Sequence, residues 1–431
     1  MKHIKNIMYM LSVQLVNYAF PLITIPIVSR VFGPEKIGLI NYIAAIVGYY
    51  TLVVSYSFNF TGVRRLTRAK EKQAEIFSTI FTCQLILLTL CVIIFSACLH
   101  FIVDLHENLL VSVVTFTSCI AALFTQNWFL QAHNDFKLIA KISFISKLLS
   151  FVLILTLIKD HSAVLMYVAI INVMTLVVSI TMFLITVQKY NIKLGFSKLS
   201  TCLNYLNEDK YLFFSSIVTS LYTTTGIILL GSLGTKVDVG YYSSAQKVID
   251  TFKSVVMLPI SQIIFPILSE KFGRNKEEGV NTVKEIMPAF ILLSICTLAF
   301  ILLFSEIIIK LLFGPLFLPS VNLLSILSIG LFAVFFGTLI GGQVMLNLGL
   351  DKAFLKIQVI ISILSLVINI IFIGKGGAII TAWVWTLSEI IITAYQIIYL
   401  RNMGINILSF DMLLPSRIKG ALFYVLKRNK H

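Results

Sequence analysis

Apolar residues occur along this chain in long runs that short polar segments separate. Most runs reach about twenty residues, the length that an α-helix needs to cross the hydrocarbon core of a bilayer. The pattern predicts an all-α polytopic membrane protein with about twelve transmembrane helices. The predicted spans are residues 10–31, 39–60, 76–103, 109–130, 142–158, 164–187, 211–233, 241–269, 286–304, 320–345, 357–374 and 378–400.

The longest predicted cytoplasmic connection divides these spans into two equal halves. We expect an N-terminal six-helix lobe (1–187), an inter-lobe loop (188–210), a C-terminal six-helix lobe (211–400) and a basic cytoplasmic tail (401–431). Because six is an even number, both halves enter the membrane in the same orientation. This arrangement suits two repeats related by an axis along the membrane normal.

Basic residues are distributed unevenly between the two sides of the predicted spans. Most of the 34 Lys and Arg residues fall on one side, and the loops of the other side receive Lys36, Lys159, Lys236, Lys310 and Lys375. By the positive-inside rule, this asymmetry predicts that both termini are cytoplasmic. Two basic amphipathic stretches, 61–75 and 408–430, predict interfacial helices on that surface. The net charge of +15 then reflects loops that face an anionic leaflet, and it requires no nucleic-acid partner.

The composition and motifs argue against a soluble protein and against an enzyme. Hydrophobic residues make up 58% of the chain and charged residues only 12%, which is typical of a membrane protein. The predicted outer loops are short, and the sequence contains no P-loop, GxSxG or HExxH motif. Its six cysteines lack metal-ligand spacing. We therefore expect neither a cofactor nor a metal site.

Four cations fall inside predicted spans: Arg30, Lys147, Lys247 and Lys253. A charge at the bilayer centre costs roughly 2.5–3.5 kcal/mol, so it persists only beside water, a partner or a ligand. Lys147 is close enough to the cytoplasmic headgroups for its side chain to snorkel. Lys253 lies about 20 Å along the helix from Gly240, too deep to reach the outer face comfortably. Lys253 is therefore the strongest candidate for a functional cation.

Two acids also lie inside predicted spans. Asp250 is midway between Lys247 and Lys253, and steps of three residues place all three side chains on one face of span 8. They either line a polar surface or form a cluster that partly neutralises itself. Glu389, in span 12, is either a protonated structural acid or a proton-coupling site. Asp250 and Glu389 are the two ion-coupling candidates.

Prolines predict bends in one span of each half. Span 1 carries Pro21 and Pro26, and span 8 carries Pro259 and Pro266. Broken helices in corresponding parts of two repeats are where transporters bind their substrates.

Five segments, spread over nearly the whole chain, resemble the Wzx-type polysaccharide flippases, which share a superfamily with the MATE exporters and the lipid II flippase. The segments are PIVSRVFGPEKIGLINY (26–42), FNFTGVRRL (58–66), QNWFLQAHNDFK (126–137), GYYSSAQKV (240–248) and LFGPLFLPSVNLLSIL (312–327). The resemblance implies two six-helix lobes around a central cavity lined mainly by spans 1, 2, 7 and 8. It also implies alternating access by rocking of the lobes.

The substrate that this resemblance implies is an undecaprenyl-diphosphate-linked oligosaccharide, an O-antigen or related surface glycan unit for lipopolysaccharide biosynthesis. It would move from the cytoplasmic to the periplasmic leaflet of the bacterial inner membrane. The implied substrate-binding residues are Arg30, Lys247 and Lys253 for the diphosphate and Asn17, Asn41 and Asn59 for the sugars. Other expected partners are membrane lipid, protons or sodium ions as coupling ions, and glycan polymerase machinery.

Two other functions fit the same sequence features. One is a MATE-like small-molecule antiporter, and the other is a membrane enzyme of glycan assembly. Cation-exporting MATE proteins commonly use an acid in span 1, whereas span 1 here has no acid and contains Arg30. The enzyme alternative would favour long outer loops, and the predicted outer loops are short.

Overall fold

The computed structural model describes residues 2–407, except for the side chains of residues 2–19, 258, 259, 262, 263 and 266. Within the described residues every regular element is a helix or a helical turn. The α-helices are α1 (Lys2–Ser55), α2 (Phe58–Arg68), α3 (Gln73–Phe101), α4 (Val103–Glu107), α5 (Leu109–Phe124), α6 (Asn127–Ala132), α7 (Phe136–Leu157), α8 (Val164–Lys189), α9 (Leu199–Thr223), α10 (Thr225–Leu233), α11 (Lys236–Phe252), α12 (Leu258–Arg274), α13 (Lys276–Leu312), α14 (Ser320–Gly337) and α15 (Asp351–Asn402). Two π-helical segments, Lys253–Met257 and Thr338–Met345, continue α11 and α14.

The two longest helices each contain one break at a glycine. Helix α1 has 54 residues and breaks at Gly33, where φ is 68°. Helix α15 has 52 residues and breaks at Gly377, where φ is 52°. Glycine adopts positive φ without the steric cost that a Cβ imposes. Each break falls between two predicted spans, so α1 carries span 1 and most of span 2, and α15 carries spans 11 and 12.

Several described helices are long and apolar enough to cross a membrane. By length and composition they number eight, or nine when α9 and α10, which meet at a bend of 45°, count as one span. This total counts α1 and α15 once each. The protein is a multi-pass all-α membrane protein, and the number of twelve spans stays a prediction.

The described part of the chain forms two compact units that divide between Ser220 and Leu221. This border lies inside α9. The predicted inter-lobe loop 188–210 is only partly a loop, because α8 ends at Lys189 and α9 already begins at Leu199. The sequence pattern failed here because polar and charged residues at the start of α9 resemble those of a loop. The predicted interfacial helix at 408–430 and most of the predicted tail lie outside the described residues.

In the first unit, helix α1 ends earlier than predicted span 2. Tyr56 and Ser57 have positive φ values of 40° and 60°, which end α1 at Ser55 and start the separate helix α2. Predicted span 4 is also interrupted, since α5 ends at Phe124 and α6 begins at Asn127. Helix α2 packs on α6, and a Cβ at Gly62 would lie 2.7 Å from the Trp128 ring.

In the second unit, α14 and α15 pack closely along a stripe of small residues. A Cβ added at Gly330, Gly337 or Gly341 would lie less than 3.0 Å from side chains of α15. The Thr386 hydroxyl of α15 donates to the Ile326 carbonyl of α14 at 3.0 Å, and the Thr393 hydroxyl donates to the Ala333 carbonyl at 3.1 Å. Close backbone approach with hydrogen bonds between helices is the usual mode of helix packing in membranes.

Candidate functional site

Lys253 is the first residue of a π-helical segment. Helix α11 begins after Thr235, whose hydroxyl accepts a hydrogen bond from the Asp238 amide at 3.0 Å. The helix continues to Phe252, and the segment from Lys253 to Met257 is wound more widely as a π-helix. Such segments are rare and occur frequently at functional sites. The backbone therefore departs from regular α-helical geometry at the cation that the sequence singles out.

Two lysines and an acid share this part of the second unit. Lys247 and Asp250 are exposed, and Lys253 is half-buried. Gln246 donates from Nε2 to Asp250 Oδ1 at 3.3 Å. Both lysines act electrostatically on Asp250, Lys253 more strongly than Lys247. Among the ion pairs of the described residues, none within 4.0 Å involves either lysine.

Glu389 joins this group from another helix. Its side chain lies on α15 and the residue is 8% exposed. Lys253 acts electrostatically on Glu389, which in turn acts on Tyr222 near the end of α9. Lys253 is thus the cation that the two predicted coupling acids share. We call Lys247, Asp250, Lys253 and Glu389 the lysine cluster.

Polar atoms without a hydrogen-bond partner lie beside the lysine cluster. Ser244 and Gln246 are 2% and 8% exposed, and Ser244 Oγ and Gln246 Oε1 have no partner in the described part of the chain. An unsatisfied buried polar atom is costly unless water or a ligand supplies the missing bond. The amide oxygen can accept, the serine hydroxyl can donate or accept, and the lysines can hold an anion. The cluster therefore has the groups that an anionic, hydroxyl-rich ligand requires.

The other predicted binding residues lie in the first unit. Arg30 is exposed and precedes the break at Gly33, whereas Asn41 is half-buried and follows it. Asn59 is exposed and lies on α2, beyond the end of α1. Asn17 belongs to α1, and its side chain is outside the described residues. Asn17 and Arg30 thus share the first part of α1, Asn41 lies in its second part, and Asn59 lies on α2.

Sequence reasoning missed an ion cluster in the first unit. Arg65 of α2 donates to both carboxylate oxygens of Asp209 on α9, from Nη1 to Oδ2 at 2.6 Å and from Nη2 to Oδ1 at 3.0 Å. Its Nη2 also donates to Glu208 at 2.8 Å, and the guanidinium lies 4.0 Å from the centre of the Tyr205 ring. The side chain of Asp209 is fully buried. We call Arg65, Tyr205, Glu208 and Asp209 the arginine cluster.

The signal for the arginine cluster in the sequence is weak. Arg65 lies in a basic stretch that the positive-inside rule already explains. Its acidic partners lie 143 and 144 residues away along the chain. They are the two acids within the predicted loop 188–210. Their position in an otherwise basic loop is the one sequence feature that indicates a structural role for them.

Comparisons with known proteins agree with this architecture. Residues 3–272 match the family described as "Polysaccharide biosynthesis protein". The chain is 25% identical over 405 residues to the "Putative O-antigen transporter" of Escherichia coli (strain K12), covering 92% of this chain and 96% of the relative. It is 24% identical over 413 residues to "Capsular polysaccharide biosynthesis protein CapF" of Staphylococcus aureus, covering 92% and 99%.

Two solved structures show the same fold at 16% sequence identity. The inward closed conformation of the lipid II flippase MurJ has a TM-score of 0.75 and covers 97% of this chain and 93% of its own. An inward-facing multidrug resistance MATE family transporter has a TM-score of 0.65 and covers 90% and 94%. The family match extends over more than half of the sequence, and the resemblance to Wzx-type flippases is confirmed. The chain therefore belongs to the polysaccharide biosynthesis protein family.

Proposed function

We propose that this protein is a flippase for undecaprenyl-diphosphate-linked oligosaccharides, such as an O-antigen or related surface glycan unit. It moves them from the cytoplasmic to the periplasmic leaflet of the bacterial inner membrane by alternating access of its two lobes. The observation that carries the proposal is the state of Lys253, a half-buried cation inside a predicted span. Lys253 acts electrostatically on Asp250 and Glu389 but forms no close ion pair with either acid.

The diphosphate is the part of the substrate that requires a cation. Phosphate oxygens attract Lys and Arg through charge-assisted hydrogen bonds, which are stronger than neutral ones. Lys253 supplies such a donor at depth, and Lys247 supplies a second one closer to the outer end of α11. Arg30, in the first unit, is the third cation that the family resemblance implies for a diphosphate. The prenyl chain stays in the lipid and needs no polar site.

The sugars require hydrogen-bonding side chains of neutral charge. Asn17, Asn41 and Asn59 are the proposed sugar contacts in the first unit. Ser244 and Gln246 add two buried polar groups that still have a free bonding position. Several weak contacts of this kind suit a transporter, because a substrate that is bound too tightly cannot leave.

Asp250 and Glu389 are the proposed coupling residues. Both interact electrostatically with Lys253, so a change in the charge of either acid changes the affinity of Lys253 for an anion. Coupling to a proton or sodium gradient requires such a link. Transport in proteoliposomes that is indifferent to both gradients would remove this part of the proposal.

The second candidate function is a small-molecule antiporter, which the fold of the MATE family transporter supports. A cation antiporter needs acids at its binding site, and the lysine cluster contains two of them. The two lysines beside these acids favour an anionic substrate instead. A membrane enzyme of glycan assembly is less well supported, because a relative that matches 92% of this chain is named "Putative O-antigen transporter".

The proposed orientation places both termini in the cytoplasm. Reporter fusions after Lys72 and Lys193 should behave as cytoplasmic, whereas fusions near Asp104 and Ser162 should behave as periplasmic. A periplasmic signal at Lys193 would contradict the division into two halves of six spans.

Reconstitution tests the proposed function directly. Purified protein in liposomes should move a fluorescent lipid-linked oligosaccharide between leaflets, measured by the fraction that a membrane-impermeant quencher reaches. The same liposomes should not exchange a cationic dye. Dye exchange without movement of the lipid-linked oligosaccharide would favour the antiporter.

A further inference from the structure

The outward face of α2 combines basic side chains with one large exposed aromatic ring. Phe60 is 73% exposed, and Arg64, Thr67 and Arg68 are exposed as well. At 100° per residue, these four positions lie within about 100° of one face of the helix. Phe60 and Arg68 are about 12 Å apart along the helix axis. We call these four residues the α2 outer face.

The opposite face of α2 is fixed against the protein. Phe58 and Leu66 are buried in a core that also contains Trp128. Gly62 allows the Trp128 ring to approach so closely that any Cβ there would clash. Arg65 is bound to Asp209. Helix α2 therefore cannot rotate to bury Phe60 without breaking these contacts.

The chain also turns before α2, so that α2 does not simply extend α1. The two residues with positive φ at the turn, Tyr56 and Ser57, are held by contacts to α9. The Tyr56 hydroxyl donates to the Leu206 carbonyl at 3.1 Å, and its ring stacks on Phe213 with centroids 4.2 Å apart. The Ser57 and Ser216 hydroxyls are 3.3 Å apart. The position of the α2 outer face is thus built into the fold of the first unit.

We propose that the α2 outer face binds anionic phospholipid of the cytoplasmic leaflet. The guanidinium groups of Arg64 and Arg68 hold phosphate oxygens of the headgroups, and the Phe60 ring inserts among the upper acyl carbons. Arginine binds phosphate through a planar fork of donors, and aromatic rings concentrate at the membrane interface. This proposal does not depend on which substrate the protein transports.

The arrangement fits a lipid surface better than a single soluble or transported ligand. The two arginines are spread along the helix and do not converge on one point. Arg64 approaches Asp209 at 4.0 Å and still keeps 53% of its side chain exposed, so it remains available to a headgroup. An apolar ring at the end of a basic stripe is typical of helices that lie in the membrane interface.

Native mass spectrometry of the full-length protein in detergent tests the proposal. The apparent binding constant of phosphatidylglycerol is compared with that of phosphatidylcholine of the same acyl chains. Because Arg64 and Arg68 supply the proposed charge-assisted contacts to the headgroup phosphate, the double variant R64Q/R68Q should bind phosphatidylglycerol at least about tenfold more weakly. The matched control K137Q/K141Q, which removes two exposed lysines of α7, should change this constant little. Phe60→Ser should weaken the binding of both lipids to a similar extent.

Three outcomes would overturn the proposal. The first two are wild-type affinity for phosphatidylglycerol in R64Q/R68Q and an equal loss of that affinity in K137Q/K141Q. The third concerns the source of the phosphate, with undecaprenyl diphosphate as the probe. If R64Q/R68Q lost affinity for this probe and kept it for phosphatidylglycerol, the α2 outer face would belong to the transported lipid. An unchanged unfolding temperature of R64Q/R68Q confirms that the variant is folded.

Discussion

The two units each contain a cluster of opposite charges, and the clusters differ in how completely their charges are paired. In the arginine cluster, Arg65 makes three charge-assisted hydrogen bonds and packs on Tyr205, and its partner Asp209 is fully buried. In the lysine cluster, Lys253 influences two acids at longer range. The cation of the first cluster contacts two acids at hydrogen-bond distance, whereas Lys253 makes no ion pair within 4.0 Å in the described part of the chain.

This difference separates a structural charge from a candidate binding charge. A buried ion pair contributes little net stability, but removing one partner leaves an uncompensated charge in a poor solvent. A cation without a close ion pair gains no stabilisation from pairing. Its free-energy cost inside a membrane must then be offset by water or a bound ligand. We therefore expect substitutions in the arginine cluster to affect folding and those at Lys253 to affect transport.

The largest expected effect is on stability, at Asp209. Asp209→Ala leaves Arg65 partly buried without its bidentate partner, so the free energy of unfolding should fall by roughly 3–5 kcal/mol. Thermal unfolding in detergent and the protein level in the membrane both report this loss. Glu208→Ala is the matched control, because the Glu208 side chain is 64% exposed and contacts the same guanidinium. An exposed pair is worth about 0–1 kcal/mol. Equal losses in the two variants would contradict a structural role for the buried partner.

The second largest effect should be on substrate binding, at Lys253. Loss of one charge-assisted contact costs roughly 1.5–3 kcal/mol, so Lys253→Ala should weaken binding of undecaprenyl diphosphate ten- to hundredfold. Lys253→Arg keeps the charge and should retain most of the affinity, whereas Lys253→Glu should lose nearly all of it. Titration of the purified variants measures these constants. A drop in unfolding temperature as large as that of Asp209→Ala would place Lys253 with the structural charges.

The smallest effect concerns a partly exposed ion pair, Lys271 with Glu278, whose side chains are 18% and 38% exposed. Lys271 hydrogen-bonds Glu278 and holds the pKa of that carboxyl below its ordinary value of 4.5. Since the pKa is lower in the folded protein, the stabilisation is fully present above pH 4.5. It is lost as the pH falls through the folded pKa. The unfolding temperatures of the wild type and Glu278→Gln should therefore differ slightly at pH 7 and converge well below pH 4.5. If the difference in unfolding temperature grew on acidification, the ionised Glu278 carboxylate would be destabilising, which would contradict this prediction.

The sequence predicted the helical membrane architecture because apolar runs report membrane burial directly. The breaks at Gly33 and Gly377 fall within the gaps 32–38 and 375–377 between predicted spans. The sequence did not predict the π-helical segment at Lys253, because local composition does not distinguish a wide turn from a regular one. It missed the end of α1 at Ser55 because the turn depends on contacts that Tyr56 makes with distant residues of α9.

The candidate site was only partly predictable for the same reason. Lys247, Asp250 and Lys253 are close in sequence, so helical spacing was enough to group them. The interaction of Lys253 with Glu389 joins residues on different helices, and the pairing of Arg65 with Asp209 spans 144 residues. Local periodicity carries no information about such contacts. Asn59 was assigned to a span because the apolar run continued past the point where the backbone turns.

The central claim is that Lys253 binds the substrate and does not merely neutralise Asp250. The most direct measurement is surface O-antigen in a flippase-deficient strain that carries Lys253→Ala alone or together with Asp250→Ala, at equal protein levels in the membrane. If Lys253 holds the diphosphate, the double variant should export as poorly as Lys253→Ala, because the cation is still missing. Recovery of export in the double variant would show that the lysine only balances the acid, and would contradict the substrate-binding role.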